Sequence, residues 1–241
     1  MSKRLVISHR THTGNSCVAI PLLALLAVVQ ATAQNPELQQ KVADVKQAAA
    51  ANKQRLLQYQ WTETTQITLN GDAKPPSQNL CRYGPDGQVQ KIPMGAPPPP
   101  PDGGRFKQRV IAKKKAEMTD YMGDVKNLLA LYVPPDSQRM QQAFQAGKVS
   151  LNPAGAMVNI IFTDYAQPGD RMTVSFDPAA KKIAGLNVNT YMGQAKDAVT
   201  LQVRMAALPD GTNYSQQTVL DATAKKLVVT TTNSGYQKIG G

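Results

Sequence analysis

The sequence predicts an α+β domain: an antiparallel β-meander with a long N-terminal helix and a helical insertion. Three observations predict it. An apolar stripe of helical period runs from Leu38 to Leu56, the period switches to two at Tyr59, and short strands punctuated by turns fill the chain from Met157 onward. The short spacing between those strands leaves no room for crossover helices, so antiparallel pairing is expected.

The chain begins with basic Lys3, Arg4 and Arg10, an apolar run from Cys17 to Val29, and Ala31-Thr32-Ala33. This is the order of an export signal cleaved near Ala33. The run, about 13 residues, is shorter than the roughly 20 that a membrane-crossing helix needs. The expected organisation is a signal peptide over 1–33 and a single domain over 34–241, periplasmic or secreted. Of the 27 Lys and Arg, three fall in the signal, leaving 24 against 16 Asp and Glu, a net charge of +8. Such a protein suits anionic envelope material, while export argues against nucleic acid.

Both histidines, His9 and His12, and one of the two cysteines, Cys17, lie in the expected signal. The remaining chain therefore has no imidazole for a serine triad, a cysteine–histidine pair or a zinc site, and Cys81 has no partner for an internal disulfide. No glycine-rich phosphate loop is present. These absences predict no enzyme activity, no catalytic residue, no metal and no cofactor. Carboxylates, lysines and tyrosines remain as possible acids and bases. Glu63 is the best single candidate among them, because strand alternation puts it on the face of Trp61.

Asn35 is placed to cap the first helix, Pro36 suits its first position, and Glu37 favours its positive end. Leu38, Val42, Val45, Ala49 and Leu56 form its apolar stripe, with Asn52 in the missing place. From Tyr59 the alternation puts Tyr59, Trp61, Glu63, Thr65, Ile67 and Leu69 on one face. Turns at 71–76 and at Gly84-Pro85-Asp86-Gly87 then separate strands at 77–83 and 88–92. Residues 93–104, with Pro97–Pro101, read as a stiff loop. A helical insertion over 105–147 follows, with helices at 105–132 and 137–146. Strands are expected at 157–165, 171–176, 182–191, 198–208, 212–220 and 225–232.

Two stretches carry the functional expectations. The strand faces Met172, Val174, Phe176 and Val199, Leu201, Val203, Met205, Ala207 must be covered, either by a packed core or by helices that leave a channel for hydrocarbon. Trp61, Ile67, Met118, Met122, Val203 and Met205 are the candidate ligand-binding residues. Arg105, Lys107, Arg109, Lys113, Lys114 and Lys115 meet no acid until Glu117 and are interleaved with Phe106, Val110 and Ile111. They form either a solvated helix face or a contact for an anionic membrane surface.

The order of helix, meander, helical insertion and second meander, with the strings Tyr59-Gln60-Trp61-Thr62-Glu63 and Leu208-Pro209-Asp210-Gly211-Thr212, resembles the periplasmic carriers of the lipoprotein-localisation class. The resemblance implies a curved sheet, a half-open β-barrel, that holds acyl chains against its concave face. The proline loop and the basic helix depart from the simplest form of that class. Together these features point to an exported, non-catalytic protein binding lipid or an acylated ligand. The alternative is an envelope scaffold with a packed core and a basic partner-binding surface.

Overall fold

The computed structural model describes residues 36–95 and 105–239. The expected signal, Asn35 and the run Pro97–Pro101 lie outside the described residues. The elements are helix α1 (Pro36–Leu56), strands β1 (Tyr59–Leu69), β2 (Asp72–Ala73), β3 (Ser77–Tyr83) and β4 (Val89–Met94), and helices α2 (Arg105–Leu129) and α3 (Ser137–Gln145). There follow β5 (Val149–Ala154), β6 (Met157–Thr163), β7 (Arg171–Asp177), β8 (Lys182–Tyr191), β9 (Ala198–Ala207), β10 (Asn213–Ala222) and β11 (Leu227–Lys238), with a 3-10 turn at Thr223–Lys225.

All strands join one antiparallel sheet in the order β4-β3-β1-β11-β10-β9-β8-β7-β6-β5, with the short β2 paired to β1. The sheet is curved and does not close, so the chain adopts the expected α+β, half-open barrel-like fold. Pairing of β1 with β11 makes one surface of the two meanders. Three irregularities bend it: β11 sets Gly235 and Tyr236 against the single Trp61, β8 carries Ala184 as an extra residue, and β10 carries Gln216. Each such bulge sharpens the local twist. Gly235, at φ 63°, supplies the left-handed backbone that the first of them requires.

The helices cover one face. Val42 and Val45 of α1, Val125 of α2, Tyr132 just beyond it, and Met140, Ala143 and Phe144 of α3 pack with the inward residues of β6 to β11 into one core. On α1 the inward position near the helix middle is Ala48, while Ala49 faces solvent. Asn52 sits in the stripe because its amide grips the backbone of Asn213, donating to the carbonyl and accepting from the N–H, both at 2.6 Å. Helix α3 starts where the Asp136 side chain accepts from the Arg139 N–H, and its last carbonyls are met by Gly147 and Lys148.

Helix α2 ends at Leu129 and not 132, β6 ends at Thr163 and not 165, and three larger differences from the sequence reading have a physical reason. Edge strand β5 was not expected; it contains Pro153, which at a sheet edge costs no ladder bond. For the same reason β4 runs through Pro93 and Met94, into the stretch assigned to the loop. Strand β11 reaches Lys238 and not Thr232, since the bulge accommodates Ser234-Gly235, which otherwise signals a turn.

One buried polar cluster pins the end of α2 to the sheet. Asp170, 2 % exposed, accepts from the N–H groups of Tyr165, Ala166 and Gln167 and from the Tyr132 hydroxyl at 2.6 Å. Tyr132 also shares a hydrogen bond with Thr190, and burial pushes its phenol well above the ordinary range. Replacing Asp170 by Ala removes the shared acceptor of three backbone N–H groups and of the Tyr132 hydroxyl. We expect Asp170→Ala to cost about 3–5 kcal/mol and Tyr132→Phe about 1–2 kcal/mol in urea unfolding, because the latter removes only the hydroxyl's bonds to Asp170 and Thr190 and leaves the backbone donors satisfied.

Candidate functional site

Strand registers arrange the covered face into rows that cross the sheet. One row runs Ile67, Val229, Leu220, Leu201, Val188, Met172, Phe162 and Val149; its neighbour runs Thr65, Thr231, Thr218, Val203, Leu186, Val174, Ile160 and Leu151. Burial along each row is uneven. Val188, Met172 and Val174 are fully enclosed beneath the helices, Val203, Val229 and the three threonines are half-buried, and Ile67 is 40 % exposed. Along these two rows the cover is complete over β6 to β8 and thins toward β11 and β1, whereas Leu227 of β11, one row further, is buried. An apolar and hydroxyl-lined flank lies open there.

The helices come down over the centre of the face. α1 meets β8 and β10, α3 meets β6, and α2 is tied to the sheet through Tyr121, whose hydroxyl donates to Asp197 at 3.2 Å. Lys225 lies 5.3 Å from the centre of the same ring. Burial first, and Asp197 second, push the Tyr121 phenol up to about 12. A shallow notch of about 110 Å³ separates α1 from α3, lined by Gln39, Val42, Ala43, Lys46, Gln141 and Phe144. It is distinct from the open flank, which is bounded by β1 and β11.

At the other end of β1 the same face carries an aromatic cluster. Trp61 stacks on Tyr236 at 5.4 Å and 10°, Tyr83 lies 5.4 Å from Trp61, and Tyr214 lies 4.4 Å from Tyr236. The Trp61 indole donates to Asn233. Beside it, both oxygens of the buried Glu63 accept from the Lys91 ammonium, at 2.6 and 2.8 Å. The best carboxylate candidate is thus engaged in an ion pair. Cys81 is enclosed in the same cluster, and burial raises its thiol pKa. Among the described residues no group of three His, Cys, Asp or Glu side chains gathers to hold a metal.

Tyr59 and Asp210, one from each of the two strings singled out in the sequence, meet here. The Tyr59 hydroxyl donates to Asp210 at 2.6 Å, the Thr212 N–H donates to the other carboxylate oxygen, and Lys238 lies 3.6 Å away. These contacts hold the Asp210 carboxyl well below the usual carboxylate range, with the Tyr59 bond the largest cause. The strings clamp the β9–β10 turn onto the start of β1.

The structure thus divides the candidate ligand-binding residues. Ile67 and Val203 lie at the open flank, Met205 is half-buried further along β9, and Met118 and Met122 line the inner side of α2. Trp61 is filled in by Tyr236 and Tyr83 at the far end of β1. Of the basic cluster, Arg109, Lys113, Lys114 and Lys115 are exposed; the side chains of Arg105 and Lys107 lie outside those described. Sequence reasoning missed Val229 and Thr231, which complete the flank. Their alternation was visible, but nothing local says that β11 lies beside β1.

Two measurements test this geometry. Phe162→Ala in the filled centre should cost about 3–5 kcal/mol, and Ile67→Ala on the open flank under about 1 kcal/mol, in urea unfolding. Tyr59→Phe should raise the Asp210 pKa toward the unfolded value of about 3.9, read by carboxyl NMR titration. Because the folded pKa is depressed, this contribution to stability is complete above about pH 3.9 and is lost as pH falls through the folded value, so the variant should lose the contribution at neutral pH.

No protein-family model matches the chain, and no curated protein does. Among solved structures it is similar to a DUF1329 family protein from Desulfovibrio piger, at 8 % identity and a TM-score of 0.41, over 85 % of this chain and 94 % of that one. It is also similar to a domain described as outer membrane lipoprotein-sorting from Vibrio parahaemolyticus, at 10 % identity and a TM-score of 0.39 over the same shares. At these scores neither likeness carries an argument about ligand or activity.

Proposed function

We propose that the protein is an exported, non-catalytic binding protein of the cell envelope that holds lipid, or the acyl chain of an acylated ligand, on the open flank of its sheet. The observation that carries this reading is the gradient of burial along the cross-sheet rows. A protein whose sheet served only as core would enclose Ile67, which is 40 % exposed, and seal Val229 and Val203, which pack at the core's edge but stay half-buried, as it seals Met172, Val174 and Val188. Leaving apolar area wet costs roughly 25 cal/mol for each Å². A hydrocarbon chain laid along Ile67 and Val229 recovers that energy. The hydroxyls of Thr65, Thr218 and Thr231 in the next row suit the ester or amide end of such a chain.

The filled centre supports a second reading, that of an envelope scaffold. There the basic surface binds a partner and the sheet binds nothing.

Native mass spectrometry of protein purified from an exporting host, with titration of a fluorescent long-chain fatty acid, separates the two. The carrier reading predicts bound lipid in the mass spectrum and saturable fluorescence. Ile67→Asp should weaken fatty-acid binding at least about tenfold with only a small loss of thermal stability, since desolvating a carboxylate against an alkyl chain is unfavourable. A clean mass together with no saturable fluorescence would sink it.

A further inference from the structure

Helix α2 has two unlike halves. From Met118 onward its inward side is apolar, with Met118, Tyr121, Met122, Val125, Leu128 and Leu129 packed against the core. That half is fastened by the Tyr121–Asp197 bond and the Lys225–Tyr121 contact, and just past its end Tyr132 is held by Asp170. Lys114 stands four residues before Met118 and seven before Tyr121, so it occupies the same side of the helix. Its exposed side chain interrupts the apolar side between the half-buried Ile111 and Met118. Between Arg109 and Lys115 the helix exposes Arg109, Val110, Lys113, Lys114 and Lys115, with Val110 at 42 %, while Ile111 is half-buried. None of the four cations is in an ion pair among the described residues.

We infer that this free half of α2 docks on the surface of an anionic bilayer. Charge complementarity selects the partner, because four exposed cations outside any ion pair among the described residues sit on about two helical turns, and Val110 provides an apolar side chain to enter the head-group boundary. Anchoring matters equally. A basic helix fixed at one end to the sheet would hold the protein at the membrane, where acyl chains are found. The inference thus builds on the proposed lipid-binding function by naming the surface from which the ligand is taken.

The test is co-sedimentation of the full protein with vesicles of phosphatidylglycerol mixed into phosphatidylcholine, compared with phosphatidylcholine alone. The wild type should bind the anionic vesicles, release them as salt rises from 50 to about 500 mM, and ignore the neutral ones. Substituting Lys113, Lys114 and Lys115 together by Gln should weaken binding on the order of 100-fold. Since these side chains are exposed, the melting temperature and fatty-acid binding in solution should not change. Val110→Asp should weaken vesicle binding with all lysines present, which a purely ionic attraction would not show.

Equal binding of wild type and triple variant, or wild-type binding to neutral vesicles, would overturn the docking inference. So would retention on a soluble anionic polysaccharide with none on vesicles. Intact fatty-acid binding beside any of those results leaves the proposed function standing, whereas loss of fatty-acid binding in the wild type strikes the proposed function itself.

Discussion

Pairing of β1 with β11 is the constraint on which the rest of the molecule depends. It joins strands more than 150 residues apart, so its loop-closure entropy is large and its hydrogen-bond ladder must be long. The ladder runs from Tyr59 opposite Lys238 to Leu69 opposite Leu227. Without it the N-terminal strands would form a separate small sheet with no apolar face to share. With it they extend the curved surface beyond the reach of the helices, and the open flank is the result.

The polar contacts serve that same geometry. The Asp170 cluster holds the end of α2 against β8, and Asn52 fixes α1 to the start of β10. The clamp between Tyr59 and Asp210 ties the beginning of β1 to the β9–β10 turn. Each joins a covering element, or an edge of the flank, to the central strands. The helices are thereby held over the filled centre and kept from sliding toward β1. A flank that stays open in the folded protein needs such restraints, because apolar area left wet favours any motion that would cover it.

Much of the fold was legible in the sequence because it is written in local chemistry. The stripe of α1, the alternation of β1 and the Gly, Pro and Asp turns between β6 and β11 were all placed from spacing alone. What stayed hidden was set by partners distant in sequence. Strand β5 contains Pro153 and is extended only because β6 pairs with it, and β11 continues past Asn233 only because β1 holds its other side. The site was half legible for the same reason. Ile67 and Val203 were chosen by strand face, but which inward residues stay open depends on where the helices stop. Trp61 illustrates the limit: its face was right, yet Tyr236 and Tyr83 fill the space a ligand would need.

The central claim is that the apolar face is sealed over β6 to β8 and accessible over β11 and β1. Methyl NMR of the protein with a fatty acid carrying a nitroxide near its chain end tests it directly, since relaxation enhancement maps where the hydrocarbon rests. The account predicts strong broadening of the Ile67, Val203 and Val229 methyls while those of Val174 and Val188 stay sharp. Broadening that spares Ile67 and Val229, or that falls on Val174 and Val188 first, would contradict it.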